Sequence, residues 1–463
     1  MTIRFGALVL AVGLAATGAG EEGRIVDPFE VVAAFDEAAK MELWPEFDAT
    51  AFPIAIYDGE RTLLMRHPNP PEEFLPVDGH EGVWSSPGKH RAMRWNSTAD
   101  IGGERTATLL LTIEPGRSPE YEAHILYHEA FHLFSKPRHP TWRPNEMWRY
   151  SYPMGDLENY RLLLLEEESL ARSVESESEE EAASWAAMAL AIRSERVARL
   201  SDHHRTYETV LELQEGTAVY MGRSTLGVAG DTERLREDRG PKGIRWRFYE
   251  TGATISVVLD RLLPTWKSLL DAEPETTFDE LLGSALAARR AQPAVFTDEE
   301  LAGVVERAEA AITELAAERA ENYEIFATRG QRVVVRVADE DERLAMGRFD
   351  PMAVEILERG EALQAHFLIA DHPRGQISLN NPSFVRRSLN GVIALTVSAG
   401  DHPFLDGFHQ IAVSGYAGEA SVIREGESVS VEAEGLSLAF DRALVASTEE
   451  EIVVTVFAAE EEE

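Results

Sequence analysis

The stretch YEAHILYHEAFHLF (residues 121–134) contains the pentapeptide HEAFH (residues 128–132), which has the spacing H-E-x-x-H. A serine–proline pair just before the stretch is typical of a helix start, so we predict that the stretch is helical. On a helix, residues i and i+4 lie above one another on the same face. His128 and His132 can therefore direct imidazole nitrogens at one metal ion, with the carboxylate of Glu129 beside them.

His128 and His132 supply only two metal ligands, so a complete catalytic metal site needs a third ligand. A bound metal ion can lower the pKa of water from about 16 to about 7, and a carboxylate can take the proton as the water attacks a carbonyl. A chain this rich in glutamate would contain H-E-x-x-H by chance roughly once in twenty cases. A structural role for the histidines is the alternative, although their burial is costly unless each is hydrogen-bonded.

The third ligand must come from another part of the chain. A histidine six positions after His132 would complete one type of zinc site, but Arg138 stands there and His139 is one residue out of register. The segment LELQEGTAVYMG (residues 211–222) is predicted to be helical and offers two carboxylates. The residue pattern alone leaves the choice between these carboxylates, Glu215 and Glu212, open.

Composition narrows the classes of function. The 463 residues include no cysteine, which excludes disulfides and thiolate metal sites, so a metal site would use histidine and carboxylate ligands. The formal net charge is −37. Nucleic acids and anionic membrane surfaces are bound by clustered lysine and arginine, so we expect neither as a partner.

The N-terminus has the pattern of a secretory signal peptide. Arg4 precedes the apolar run FGALVLAVGLAATGAG (residues 5–20), which ends in small residues. No later stretch approaches eighteen consecutive apolar residues, so we expect no membrane insertion after the signal is removed. The sequence therefore predicts an exported protein, periplasmic or extracellular, that begins near residue 21.

Residues 21–325 are predicted to form one region with a small mixed sheet and a mainly helical part. Short β-type runs, the last of them TATLLLTI (residues 106–113), precede the motif helix. Apolar residues recur every three or four positions through 157–205 and again through 276–322, which indicates helices.

After Gly330 the apolar pattern changes to period two. Eight or more short β-branched runs are separated by glycine, aspartate, asparagine and proline. This pattern predicts that residues 331–463 form a separate antiparallel β-sandwich or barrel of unknown role. The fold class expected for the whole chain is therefore α+β.

The segment Glu215-Gly216-Thr217-Ala218-Val219-Tyr220 resembles the E-G-x-A-x-Y helix of gluzincin metallopeptidases, the group that includes thermolysin-like and aminopeptidase N-like enzymes. The resemblance implies a zincin-like catalytic region and one Zn²⁺ per chain, with Glu215 as the third ligand beside His128 and His132. The run Phe248-Tyr249-Glu250-Thr251-Gly252-Ala253 is similar to the Y-x-x-G-A helix start of the aminopeptidase N family, which implies that the Tyr249 hydroxyl stabilises the oxyanion.

The chain also departs from that family. His132 and Glu215 stand 83 positions apart, against about nineteen in aminopeptidase N-like enzymes, so residues 157–205 would be a helical insertion. The Gly-x-Met-x-Asn strand that holds a substrate's amino terminus in that family is not evident. We expect TATLLLTI (residues 106–113) to be the edge strand that faces the substrate. Amino-terminal specificity is not implied.

We therefore predict an exported zinc metallopeptidase in which His128, His132 and Glu215 bind the metal, Glu129 is the general base and Tyr249 the oxyanion donor. The substrate would be a peptide or protein. A zinc hydrolase acting on another amide or an ester would share every motif residue. A non-catalytic exported binding or scaffold protein is the third reading, and metal content separates it from the enzymes.

Overall fold

The computed structural model describes residues 24–237, 239–350, 354–357, 360–381, 391–398 and 406–458. The predicted signal peptide (residues 1–20) lies outside them. The described residues form a mixed α+β protein with ten α-helices and three mostly antiparallel sheets, and none of these sheets is closed. The α+β class is thus confirmed, and no barrel forms from the described strands. Among the same residues, no helix has both the length and the apolar character needed to span a membrane.

The chain divides into two compact units. We call the unit made of the described residues up to Pro144 together with Glu158–Ala308 the helical unit. We call the unit made of Asn145–Leu157 and the described residues from Glu309 onward the β unit. The last helix ends at Thr328 and the next strand begins at Arg332.

The β unit nevertheless begins earlier than the change in sequence pattern suggests. Phe326, at the end of the last helix, packs against the strand residues Val334 and Leu395. Tyr150 lies in the main core of the same unit. Contacts of these two aromatic side chains explain why helical residues before position 331 belong to the β unit.

One six-stranded sheet belongs to the helical unit. Its strands are β1 (Ile54–Tyr57), β2 (Arg61–Met65), β3 (Leu75–Pro76), β4 (Val83–Pro87), β5 (Ser97–Ile101) and β6 (Glu104–Leu110). Their order is β3-β4-β2-β1-β6-β5, and all neighbours are antiparallel except β1 and β6. The expectation that residues 106–113 form the edge strand is therefore wrong. The chain turns at Gly102 and Gly103, both with positive φ, and pairs β5 outside β6.

The helices follow the predicted helical regions. They are α1 (Pro28–Ala38), α2 (Pro119–Arg138), α3 (Leu157–Glu175), α4 (Glu179–Val197), α5 (Asp202–Leu211), α6 (Thr217–Thr225), α7 (Ile244–Leu262), α8 (Trp266–Ala272), α9 (Phe278–Arg289) and α10 (Asp298–Thr328). The predicted motif helix is α2, and the Ser118 side chain caps it by accepting a hydrogen bond of 3.2 Å from the Tyr121 backbone N–H. Helices α3 and α4 occupy most of residues 157–205.

A π-helical turn, Glu212–Gly216, joins α5 to α6. A Cβ atom added to Gly216 would lie 2.5 Å from the Gly252 Cα atom of α7, so neither position has room for a side chain. A Cβ atom on Gly222 would lie 2.8 Å from the His124 carbonyl oxygen of α2. These glycines let α6 approach α7 and α2 closely, which brings the π-helical turn to the motif helix.

The β unit contains two sheets built from thirteen described strands. They are β7 (Arg332–Val337), β8 (Ala345–Phe349), β9 (Val354–Ile356), β10 (Glu361–Gln364), β11 (Phe367–His372), β12 (Gly375–Asn380), β13 (Ile393–Ser398), β14 (Phe408–Ser414), β15 (Ala417–Glu425), β16 (Ser428–Glu434), β17 (Leu436–Phe440), β18 (Ala443–Ser447) and β19 (Glu451–Val456). The seven-stranded order is β18-β19-β7-β14-β13-β10-β9, and the six-stranded order is β15-β16-β17-β12-β11-β8. Val335 and Ile411 of the first sheet share one core with Leu379 and Leu438 of the second.

Candidate metal centre

Helix α2 is buried along its length from Tyr121 to Ser135, although it carries three histidines and two glutamates there. One face is apolar: Tyr127 and Phe131 pack edge-on against the ring of Phe47 at centroid distances of 5.3 and 5.4 Å. This aromatic packing fixes the rotation of the helix. The histidines lie on the face that packs against α6.

Three side-chain atoms converge at the centre. The Nε2 atoms of His128 and His132 lie 3.1 Å apart. Glu215 Oε2 lies 3.3 Å from the His132 nitrogen and 3.6 Å from the His128 nitrogen. The three atoms therefore form a nearly equilateral triangle of nitrogen and oxygen atoms. The structure thus brings together the three residues that the sequence suggested as metal ligands.

The ionisation states at this triangle suit a cation. Burial lowers the pKa of His132 to about 4, so the imidazole is neutral at pH 7. Burial opposes ionisation of Glu215, but contact with His132, hydrogen bonds with both histidines and the charge of Arg245 outweigh it and hold its pKa well below the usual range. A neutral imidazole and an ionised carboxylate are the forms in which these side chains bind metals.

Glu129 lies beside the triangle, with its Oε1 atom 4.0 Å from His128 Nε2. Ligand atoms of His128, Glu129 and His132 lie within 4.8 Å of one another, so this buried group could hold a metal ion. Burial raises the pKa of Glu129 to about 7, with a smaller contribution from Glu215 in the same direction. A carboxyl group with a pKa near neutrality can both accept and return a proton at physiological pH.

The outer nitrogens of the two histidines differ from those of most metal-binding histidines. The Nδ1 atoms of His128 and His132 are buried and find no hydrogen-bond partner within the described residues. A metal-binding histidine usually donates its second N–H to a carboxylate or carbonyl, which fixes the tautomer and strengthens binding, often by 10–100-fold. We therefore expect this centre to bind metal more weakly than one with complete hydrogen bonding.

Glu212, the alternative third ligand, is engaged elsewhere. Its carboxylate accepts two hydrogen bonds from Arg193, one of them at 2.9 Å, and a third of 2.6 Å from the Thr251 hydroxyl. Arg193 also donates to Glu166 at 2.7 Å. Because these groups occupy both carboxylate oxygens, Glu212 belongs to a buried ion-pair network, and Glu215 is the glutamate that faces the histidines.

Tyr249 is buried on α7, and its hydroxyl accepts a hydrogen bond from Arg245 one turn earlier. The Arg245 guanidinium also lies over the Tyr249 ring, 4.9 Å from its centroid, and its charge helps to lower the pKa of Glu215. Arg245 thus contacts Tyr249 directly and acts on Glu215 through its charge. The sequence reasoning missed Arg245, although its position four residues before Tyr249 on a helix was a usable signal.

Lys136 was also missed. It lies one turn after His132 on α2 and is half-buried, and burial lowers its pKa although Glu215 and Glu129 oppose the shift. The spacing 124-128-132-136 placed it on the histidine face. His124 begins the same stripe, but its Nδ1 atom hydrogen-bonds the Tyr121 carbonyl and burial lowers its pKa to about 3.

Comparison of the chain with protein-family models, with curated proteins and with solved structures found no match.

Proposed function

We propose that this protein is an exported, zinc-dependent metallohydrolase that cleaves peptide bonds in a peptide or protein substrate. The observation that supports it most is the triangle of His128 Nε2, His132 Nε2 and Glu215 Oε2, with sides of 3.1, 3.3 and 3.6 Å. Ligands about 2.0–2.1 Å from a tetrahedral zinc ion are separated by roughly 3.3 Å. The triangle therefore has the size that three of four zinc ligands require.

The donor set favours zinc over other common ions. Two imidazole nitrogens and one carboxylate oxygen form one of the ligand sets of catalytic zinc, whereas magnesium and calcium prefer oxygen ligands alone. Three protein ligands leave one position for water or substrate, which is typical of catalytic and not of structural sites. We propose one Zn²⁺ per chain, held by His128, His132 and Glu215.

When bound, zinc would supply Lewis acidity, which lowers the pKa of water and polarises a carbonyl group. Glu129 would accept a proton from the attacking water and return it to the leaving amine. Its burial suits this role, because its pKa near 7 lets the carboxyl group change protonation state at neutral pH. Neutral His132 and ionised Glu215 would keep their protonation states through the cycle.

Tyr249 would stabilise the negative charge that develops on the carbonyl oxygen. Its hydroxyl accepts a hydrogen bond from Arg245, which orients the side chain. A neighbouring guanidinium also makes the hydroxyl a stronger donor. Removal of one such donor typically costs about 3–4 kcal/mol of transition-state stabilisation.

The resemblance to gluzincin metallopeptidases supports two parts of the proposal. These are the peptide substrates and the gluzincin-type, zincin-like catalytic region. The motif helix, the Glu215-Gly216 segment and the Tyr249 helix start follow one another in the order that gluzincins have. Export rests on the apolar run at residues 5–20. Both parts can be tested apart from the metal centre, by substrate profiling and by fractionation of cells.

The first experiment is elemental analysis of the purified protein and of the His128→Ala variant. We expect about one zinc per chain in the wild type and almost none in the variant, because the variant lacks one of three ligands. Absence of metal after incubation with zinc at neutral pH would contradict the proposal.

The second experiment separates metal binding from catalysis. Glu129→Gln should keep the zinc and lose turnover by a factor of about 10²–10⁴, since it removes the general base and not a ligand. Activity is measured on a mixed peptide library and on a panel of esters and non-peptide amides. Full activity of Glu129→Gln would exclude the mechanism, and hydrolysis of the panel alone would reassign the substrate class.

A further inference from the structure

Lys136 lies where the buried part of α2 reaches solvent. The helix is buried from Tyr121 to Ser135, Lys136 is half-buried, and the next two residues are exposed. Lys136 stands one turn after His132 on the same face of the helix. Side chains on a helix lean toward its N-terminus, so the ammonium group of Lys136 is directed back toward His132. This position lies between the candidate metal centre and the solvent.

The positive charge of Lys136 acts on residues of the centre. Burial lowers the pKa of His132, and the charge of Lys136 adds to the fall. Burial raises the pKa of Glu129, and the same charge opposes the rise. Even so, the ammonium group forms no hydrogen bond or ion pair with any of the residues that the structure describes. It therefore lies near the centre without being held by a side chain of the centre.

Two further cations act on Lys136 from other elements. Burial lowers the pKa of Lys136, and the positive charges of Arg105 on β6 and of Arg143 after α2 add to the fall. Both arginine side chains are exposed. Arg105 donates a hydrogen bond to the Thr98 hydroxyl, and neither arginine forms an ion pair with a carboxylate among the described residues. Three cations without an ion pair therefore lie near one another beside the centre.

The carboxylates of the centre have other roles in the proposed function. Glu215 faces the imidazole nitrogens at 3.3 and 3.6 Å, and a bound zinc ion would add two positive charges there. The side chains of Glu129 and Glu215 are 10 % and 12 % exposed, so the centre is open to solvent on the side where Lys136 lies. A half-buried, unpaired ammonium group at such an opening suits a negative charge that arrives with a substrate.

We propose that Lys136 determines the substrate specificity of the proposed hydrolase by binding a carboxylate group of the peptide, which Arg105 and Arg143 attract by their charge. The inference rests on the proposed function. The carboxylate is either the C-terminus of the peptide or an acidic side chain. One turn of α2 spans about 5.4 Å, roughly two residues of an extended peptide, so the carboxylate should lie within about two residues of the cleaved bond.

The test begins with binding, so that it does not depend on zinc or on hydrolysis. Pools of pentapeptides of uncharged residues carry a neutral dye at the N-terminus, and fluorescence anisotropy at pH 7 measures their affinity for the full-length, metal-depleted protein. One pool ends in a free carboxylate, a second ends in an amide, and a third has a glutamate before the amide. We expect at least one anionic pool to bind about tenfold more tightly than the neutral pool.

Lys136→Met should bind all three pools with equal affinity, Lys136→Glu should prefer the neutral pool, and Lys136→Arg should keep the preference for an anion. Arg138→Gln is the matched control, because Arg138 lies two residues later, over the Phe134 ring at 3.9 Å and 3.5 Å from Glu46. It removes one positive charge from the same helix end and should keep the preference. A role of Lys136 confined to the helix end would instead lower the Tm of Lys136→Met and leave its preference unchanged.

The pools also distinguish the two sources of the carboxylate. Tighter binding of the free-carboxylate pool alone indicates the C-terminus, and tighter binding of the glutamate pool alone indicates an acidic side chain. With zinc supplied, kcat/KM for hydrolysis should favour the same pool by about 10–100-fold.

Equal or undetectable binding of the three pools by the wild type, or an unchanged preference in Lys136→Met, would overturn the proposal. A preference that depends on Lys136 in a protein that binds no zinc and cleaves no peptide would contradict the proposed function alone. The two failures are therefore distinguishable.

Discussion

Glu212 and Glu215 lie in one π-helical turn, yet their carboxylates meet opposite surroundings. Glu212 receives hydrogen bonds from Arg193 and Thr251, so both of its oxygens have partners within the protein, although burial raises its pKa to about 7. Glu215 instead faces the imidazole nitrogens of His128 and His132 at 3.6 and 3.3 Å. The first arrangement is complete, whereas the second gathers metal-ligating atoms around a point where a cation would complete it.

Burial of a carboxylate therefore does not by itself mark a functional site. Glu166, Glu208 and Glu250 are also almost fully buried, and each is held by an arginine. The type of partner is what distinguishes the candidate metal centre. π-Helical turns often occur at functional sites, and here one turn directs one glutamate into each kind of surroundings.

Loss of a histidine from the triangle should have the largest effect on zinc affinity. His132→Ala removes one of the three proposed ligands, and apparent zinc-binding free energies of about 10–16 kcal/mol are shared among all ligands of a site. We therefore expect the zinc affinity to fall by roughly a thousand-fold. Competition with a chromophoric chelator at pH 7 measures this change.

His124→Gln is the control for that measurement. His124 lies on the same face of α2 and is equally buried, but its Nδ1 atom bonds the Tyr121 carbonyl and it does not belong to the triangle. Its zinc affinity should stay within a few-fold of the wild type. An equal loss in both variants would mean that the metal is held elsewhere along the helix.

The second prediction exchanges the two glutamates of the turn. In chelated protein, Glu212→Gln should lower the free energy of unfolding by about 3 kcal/mol, because Arg193 loses a buried charge partner but keeps Glu166 and Asp279. Glu215→Gln should also lower it, because contact with His132, hydrogen bonds with both histidines and the charge of Arg245 stabilise the ionised carboxylate in the folded protein.

Zinc content should distinguish the two variants. Glu215→Gln should lose the metal, and Glu212→Gln should keep it. Urea unfolding with EDTA, followed by elemental analysis without EDTA, gives both readings. Metal loss on Glu212→Gln alone would make Glu212 the ligand and contradict the interpretation of the turn.

A third glutamate, Glu122, lies near an arginine but is not held by it as closely as Glu212 is held by Arg193. Glu122 on α2 is buried, and its nearest cation, Arg117, lies 3.9 Å away. Burial raises its pKa from 4.5 to about 7, with Glu114 adding to the shift and Arg117 opposing it. The folded protein therefore holds the proton more tightly than the unfolded chain does, and this contribution to stability is lost as the pH rises from about 4.5 through 7.

Glu122→Gln should remove that pH dependence. Its free energy of unfolding should equal that of the wild type near pH 4.5 and exceed it at pH 8 by up to about 3 kcal/mol. Urea unfolding at both pH values measures the difference. Glu120→Gln, an exposed change in the same turn, should show no such gain. A Glu122→Gln variant that is less stable at pH 8 would mean that Arg117 compensates the carboxylate fully.

Local patterns made much of this predictable from the sequence. The helix start at Ser118-Pro119, the i and i+4 histidines and the change to period two after Gly330 each depend on neighbouring residues. Partners distant in the chain were less accessible. The contact of Arg193 with Glu212 and the exclusion of residues 106–113 from the sheet edge both depend on tertiary packing that a local pattern does not encode.

The smallest change in stability is expected from substitutions of glycine in the helices. The first of these concerns the backbone next to Glu215. Gly216→Ala would put a Cβ atom 2.5 Å from the Gly252 Cα atom, so α6 and α7 must separate. Such overpacking typically costs 1–3 kcal/mol. Because Gly216 directly follows Glu215, the shift should also weaken zinc binding.

Gly303→Ala provides the opposite case. Gly303 lies within α10, and an added Cβ atom would meet nothing within 4 Å, so alanine should stabilise the helix by about 0.5–1 kcal/mol. The same glycine-to-alanine change is thus expected to have opposite signs at two helical positions. Thermal unfolding with and without zinc measures both. If Gly216→Ala kept both stability and zinc affinity, the α6–α7 contact would not determine where Glu215 points, and the histidines of α2 would remain as the elements that select it.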